Sequence, residues 1–64
     1  MKLKKMLPLL EPNYEVFLML ENDETETIVS FTNYYELYKN YYIVKLQPYF
    51  SKGRNGILFI ISNE

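Results

Sequence analysis

The chain has 64 residues, a formal charge of -1 from seven basic and eight acidic side chains, and no histidine, cysteine or tryptophan. That length leaves room for one domain, residues 1–64, with one thin core, because so short a chain buries only about 60% of the surface its unfolded form exposes. The composition excludes disulfide staples, thiolate and imidazole ligands and a histidine general base, and the near-neutral charge supplies no field to gather the protein on nucleic acid or an anionic membrane. No metal or cofactor is therefore expected, and oligomerisation is the remaining way to offset small size.

Leu3, Met6, Leu7 and Leu10 recur at i, i+3, i+4 and i+7, which predicts a short N-terminal helix with one apolar face. Pro8 weakens it, and it is expected to end at Glu11-Pro12-Asn13. The basic start, Met1 to Lys5, has the look of a signal-peptide n-region, but the apolar run from Met6 to Leu10 is too short for a secretory segment. No other stretch approaches bilayer length. The expectation is a soluble, cytoplasmic protein, in keeping with the lack of cysteine.

From Tyr14 to Leu20 both faces are apolar, with Val16, Leu18 and Leu20 on one and Phe17 and Met19 on the other, the pattern of a central strand. Glu21 to Glu24 is polar and turn-forming, and Thr25 to Phe31 alternates, completing a hairpin. Asn33, with Glu36 three residues later, is placed to cap a helix over Tyr34 to Lys39. Tyr42 to Gln47 alternates as a third strand closed by Pro48, Ser51 to Gly56 is a loop, and Ile57 to Ile61 is a wholly apolar fourth strand. The expected fold is α+β: a four-stranded antiparallel sheet of two hairpins, in spatial order 2-1-4-3, with two short helices on one face. One apolar pair, Phe17 and Met19 or Val16 and Leu18, then lacks cover, which predicts a homodimer or a stable hetero-complex.

Six of the seven tyrosines fall between Tyr34 and Tyr49. Tyrosine is a large, fairly rigid amphipathic side chain enriched at binding hot spots, so Tyr34, Tyr35, Glu36, Tyr38 and Tyr41 are the candidate partner-binding residues. Leu37 and one of Tyr34 or Tyr38 are expected to anchor the helix, leaving Tyr35 and Glu36 outward. The plainer reading is that tyrosine fills the margins of a small core. A second candidate set, Tyr49, Phe50, Lys52 and Arg54, combines two aromatic faces with two cations, the parts used to stack on single-stranded nucleic acid; a soluble connection explains it as simply. Glu21, Asp23, Glu24 and Glu26 lack the ligand spacing and central glycine of a calcium loop. They read as a solvated hairpin tip, or as a row of carboxylates mimicking nucleic-acid phosphates. No serine or lysine sits in a nucleophile motif and so thin a core can barely desolvate an acid pair, so no enzymatic activity is expected.

The segments Leu3 to Leu10, Asn13-Tyr14-Glu15-Val16 and Gly56 to Ile60 resemble a group of small proteins from phages and mobile elements of Firmicutes. The absence of alanine and the abundance of Asn, Lys, Ile, Tyr and Phe agree with AT-rich coding of that kind. A narrower resemblance joins Tyr14-Glu15-Val16 with Met19-Leu20, and Tyr35-Glu36-Leu37-Tyr38 with Ile43 to Leu46, to the small dimeric uracil-DNA glycosylase inhibitors of Bacillus phages. That likeness implies that Tyr35 and Glu36 match the aromatic-glutamate pair that enters the enzyme's DNA-binding site. This chain departs from those inhibitors in being less acidic and in having both the N-terminal helix and the Ile57 to Ile61 strand.

The function expected from the sequence is a non-catalytic phage-type protein that inhibits a host defence or DNA-processing enzyme by protein-protein contact. An anti-CRISPR-like protein and a DNA glycosylase inhibitor are the forms it would take. The alternatives are a nucleic-acid-binding accessory protein and a self-assembling structural module.

Overall fold

The two stretches that are apolar on both faces occupy the middle of one four-stranded sheet. The computed structural model describes residues 1–10 and 14–63, and its strands are β1 (Glu15–Leu20), β2 (Val29–Ser30), β3 (Tyr42–Ser51) and β4 (Arg54–Ser62). Their order across the sheet is β2-β1-β4-β3. The sheet is mixed, whereas the sequence pattern predicts an antiparallel one: β1 pairs antiparallel with β2 and β3 with β4, but β1 and β4 run parallel. The reason lies in helix α2 (Phe31–Tyr38), which packs on β1 and β2. It carries the chain back to the end of the sheet from which β2 set out, so β3 runs in the same direction as β2 and β4 in the same direction as β1.

One face of the sheet holds the core. Leu3, Leu18, Phe31, Phe59 and Ile61 are buried together, with Val16, Leu20, Val29, Ile43 and Ile57 packed around them. Helix α1 (Leu3–Met6) contributes Leu3 and Met6 and gives way at Pro8 to a 3-10 turn over Leu7–Leu9. Winding then tightens from about 3.6 to about 3.0 residues per turn. Leu10 still reaches the core, but Leu7 leaves the stripe predicted for it and is exposed. The expected helix end at Glu11-Pro12-Asn13 lies outside the described residues. Among the described residues no helix is long and apolar enough to cross a membrane.

Strand β2 is far shorter than the predicted Thr25 to Phe31, because Asp23 diverts the backbone. Its Oδ1 accepts from the Thr25 amide at 3.0 Å and the Thr25 hydroxyl at 2.6 Å, and its Oδ2 accepts from the Thr27 amide at 3.0 Å. Two amides that a ladder would need are thus spent in a local Asx-type turn, and Glu26 takes a left-handed φ of 52°. The Thr25 hydroxyl first, then the Thr27 and Thr25 amides, hold the Asp23 carboxyl below its ordinary pKa. A lowered folded-state pKa means that this contribution to loop order is complete above the usual aspartate range and is lost as pH falls through the lowered value. Asp23→Asn is expected to speed amide exchange at Thr25 and Thr27 at neutral pH while leaving exchange in β4 unchanged. Unchanged exchange at both amides would show that the carboxylate does not organise the loop.

Helix α2 also starts earlier than its capping signal. Ser30 is the N-cap, without a side-chain hydrogen bond, and Asn33 lies inside the helix. A good cap contributes about 1 kcal/mol, whereas burying a phenylalanine contributes roughly 1.5–3 kcal/mol. The helix accordingly begins at Phe31, which with Tyr35 and Tyr38 at i+4 and i+7 forms its inward stripe.

Strands β3 and β4 are both longer than predicted. The Ser51 to Gly56 loop shrinks to a two-residue turn at Lys52 (φ 52°) and Gly53 (φ 76°), the left-handed pair that fits the twist of a hairpin. Pro48 does not close β3, because β3 is the edge strand and a proline there leaves its missing N–H on the open side. The rest of that edge is also blunted. The Ile43 amide donates to the Met1 carbonyl at 2.8 Å, Lys2 bridges to Tyr42, and the ladder is irregular between Ile43 and Lys45. Covered ends, irregularities and prolines all discourage strand addition.

Candidate functional site

The tyrosine segment divides into an inner and an outer set. Tyr35 turns inward, its ring centroid 5.3 Å from that of Phe31, and Tyr38 packs edge-on against Tyr41 at 4.9 Å; all three tyrosines lie against the core. The outward placement expected for Tyr35 is therefore corrected, and so is the anchoring role expected for Leu37, which is 65% exposed. The cause is helical phase: a stripe that starts at Phe31 collects Tyr35 and Tyr38 and puts Leu37 on the opposite side. Tyr34 stays 40% exposed and stacks on Tyr38 at 6.2 Å. Glu36 is outward as expected, and its carboxylate accepts from Lys39 Nζ at 3.0 Å. The surface that α2 offers is thus Tyr34, Glu36 and Leu37. Its central apolar group is one that the sequence pattern assigned to the interior.

The second candidate set is dispersed. Tyr49 lies on the face away from the helices, edge-on to Phe17 at 5.0 Å, whereas Phe50, its neighbour in an alternating strand, points to the helix-bearing face and is 73% exposed. Arg54 donates to Glu15 at 2.5 Å, which raises the pKa of the guanidinium above its ordinary value. Only Lys52, exposed in the turn, remains a cation without an ion pair among the described members of this set. Two aromatic faces on opposite sides of a sheet do not form one stacking platform.

A third surface was not singled out by the sequence patterns. On the helix-bearing face, where the helices stop short of the β3 side, Tyr14, Leu46, Pro48, Phe50 and Ile57 line an open groove of about 550 Å³. Leu46, Pro48 and Phe50 alternate along β3, a signal that continues straight through the proline and was lost by ending the strand there.

No family model, curated protein or solved structure matches this chain. The site therefore rests on its own geometry.

Of the two apolar pairs on β1, Val16 and Leu18 are covered by the helices. Phe17 and Met19 lie on the other face and are half-buried there; Phe17 carries the Tyr49 ring, and Leu58, its partner on β4, is only 2% exposed. That face is closed in part by its own side chains. Among the described residues no group of three or more carboxylates is placed to hold a metal ion. In the loop after β1, Asp23 is engaged by Thr25 and Thr27, while Glu21, Glu24 and Glu26 are exposed.

Proposed function

We propose that this chain is a non-catalytic binding module that acts on another protein through the outer face of α2. One observation carries the reading: Phe31, Tyr35 and Tyr38 already anchor the helix, yet Leu37 is 65% exposed beside Tyr34 and Glu36. An apolar knob that the fold does not need, flanked by an aromatic ring and a carboxylate, has the make-up of a hot spot with a polar rim. A host enzyme of defence or DNA processing is proposed as the target class, on the sequence resemblance alone. The pair that the inhibitor likeness pointed to is replaced, because Tyr35 is turned inward and Leu37 takes its place next to Glu36.

The test is affinity capture from host lysate with wild type and Leu37→Ser side by side. Leu37→Ser is expected to weaken the captured interaction by about 2 kcal/mol or more, while the melting temperature stays within the small range of an exposed substitution. A partner held equally by both proteins would place the interface elsewhere.

A further inference from the structure

We propose that the groove around Phe50 is a self-association surface, in which Phe50 of each of two copies fills the groove of the other. A two-fold interface must be self-complementary, and this patch carries a protruding side chain and a recess side by side. Phe50 is 73% exposed at the rim, and the groove of about 550 Å³ next to it exceeds the roughly 150 Å³ that takes up a benzene ring. Leu46 and Tyr14, each about half exposed, give the incoming ring apolar walls.

Charge supports a second copy as the occupant. A two-fold axis brings residues near the axis close to their own images, so a charged lining would set like charges together. No residue lining this groove is charged; the polar contributions come from Gln47 and Asn55. Strand addition at the β3 edge, which borders the groove, is discouraged by the Ile43–Met1 hydrogen bond, the Lys2–Tyr42 bridge, the irregularity before Lys45 and Pro48, which favours a face contact there. The chain also has no cysteine for a staple, and oligomerisation commonly stabilises scaffolds of this size. Five large side chains make a patch at the small end of specific interfaces, so a reversible, concentration-dependent association is expected.

Sedimentation equilibrium from micromolar to the hundred-micromolar range tests this directly. Wild type is expected to rise from 7.8 kDa toward twice that mass, and Phe50→Ala to raise the dissociation constant at least tenfold with an unchanged circular dichroism spectrum. Asn55→Asp, a substitution at an exposed position paired with Phe50, places a carboxylate near its own image, and is expected to weaken the dimer at low salt and less so at high salt. This second variant decides the matter should Phe50→Ala misfold. A wild-type mass that stays at 7.8 kDa throughout, or a dimer indifferent to both substitutions, would overturn the proposal. Capture of the α2 partner does not enter this measurement, so the two surfaces stand or fall separately.

Discussion

Phe59→Ala is expected to leave much of the chain unfolded at room temperature. Phe59 is 1% exposed and sits in β4 between Leu18 of β1 and Leu46 of β3, in the cluster that also holds Leu3 and Phe31. Truncating a buried phenylalanine costs about 3–5 kcal/mol through lost transfer energy and the cavity left behind. A domain of 64 residues has a total stability of roughly 3–10 kcal/mol, and its single layer of helices offers little else to collapse into the space. Urea titration followed by far-ultraviolet circular dichroism should show a transition shifted to the lowest concentrations or already under way in water. Leu9→Ala serves as the control, since its side chain is 66% exposed. A Phe59→Ala midpoint close to that of wild type would mean that the core lies elsewhere.

Gly56→Ala is the second large effect expected, although it adds only one methyl group. Gly56 is buried in β4, paired with Glu15 on one side and Tyr49 on the other. A Cβ there would lie 2.8 Å from the Glu15 carbonyl oxygen, 3.2 Å from that of Tyr49 and 3.3 Å from the Phe17 ring. Two of those neighbours are backbone held by strand pairing, so relief requires the Phe17 ring to lift and the strands to part. Overpacking of this kind costs about 1–3 kcal/mol, and displacing the Phe17–Tyr49 edge contact forfeits about 0.5–1.5 kcal/mol of what that aromatic pair contributes. For a domain of this size each kcal/mol lowers the melting temperature by about 4–8 °C. Calorimetry should find Gly56→Ala clearly less stable, and Gly53→Ala serves as a contrast, destabilised by its positive φ with no atom within 4 Å of the new methyl. A Gly56→Ala melt matching wild type would contradict the close packing of β1, β4 and β3 at this point.

Much of the layout was legible because it depends on local pattern. Strands apolar on both faces must be central, which fixed β1 and β4 in the middle of the order that is observed. Direction was not legible, because it depends on where α2 re-enters the sheet, and no residue within either hairpin encodes that. Boundaries failed where a side chain competed with the ladder, as Asp23 does in making β2 start late, and where the open side of an edge strand lets β3 continue past Pro48. At the candidate site, the composition of the tyrosine segment was readable but its helical phase was not. Phase follows from the first buried residue, and an apparent cap at Asn33 placed that residue at Tyr34 or later, when it is Phe31. The Glu15–Arg54 pair joins positions 39 residues apart, so sequence spacing gives no hint that this cation is engaged.

The central claim, that the outer face of α2 is the binding surface, is tested most directly by adding the captured partner to isotope-labelled protein and mapping the amide signals that change. The largest changes are expected at Tyr34, Glu36 and Leu37, with those at Lys52 to Arg54 and at Phe17 and Met19 unmoved, and with binding that persists as salt is raised. A footprint centred on Lys52 to Arg54, with affinity that collapses in salt as phosphate contacts do, would contradict it.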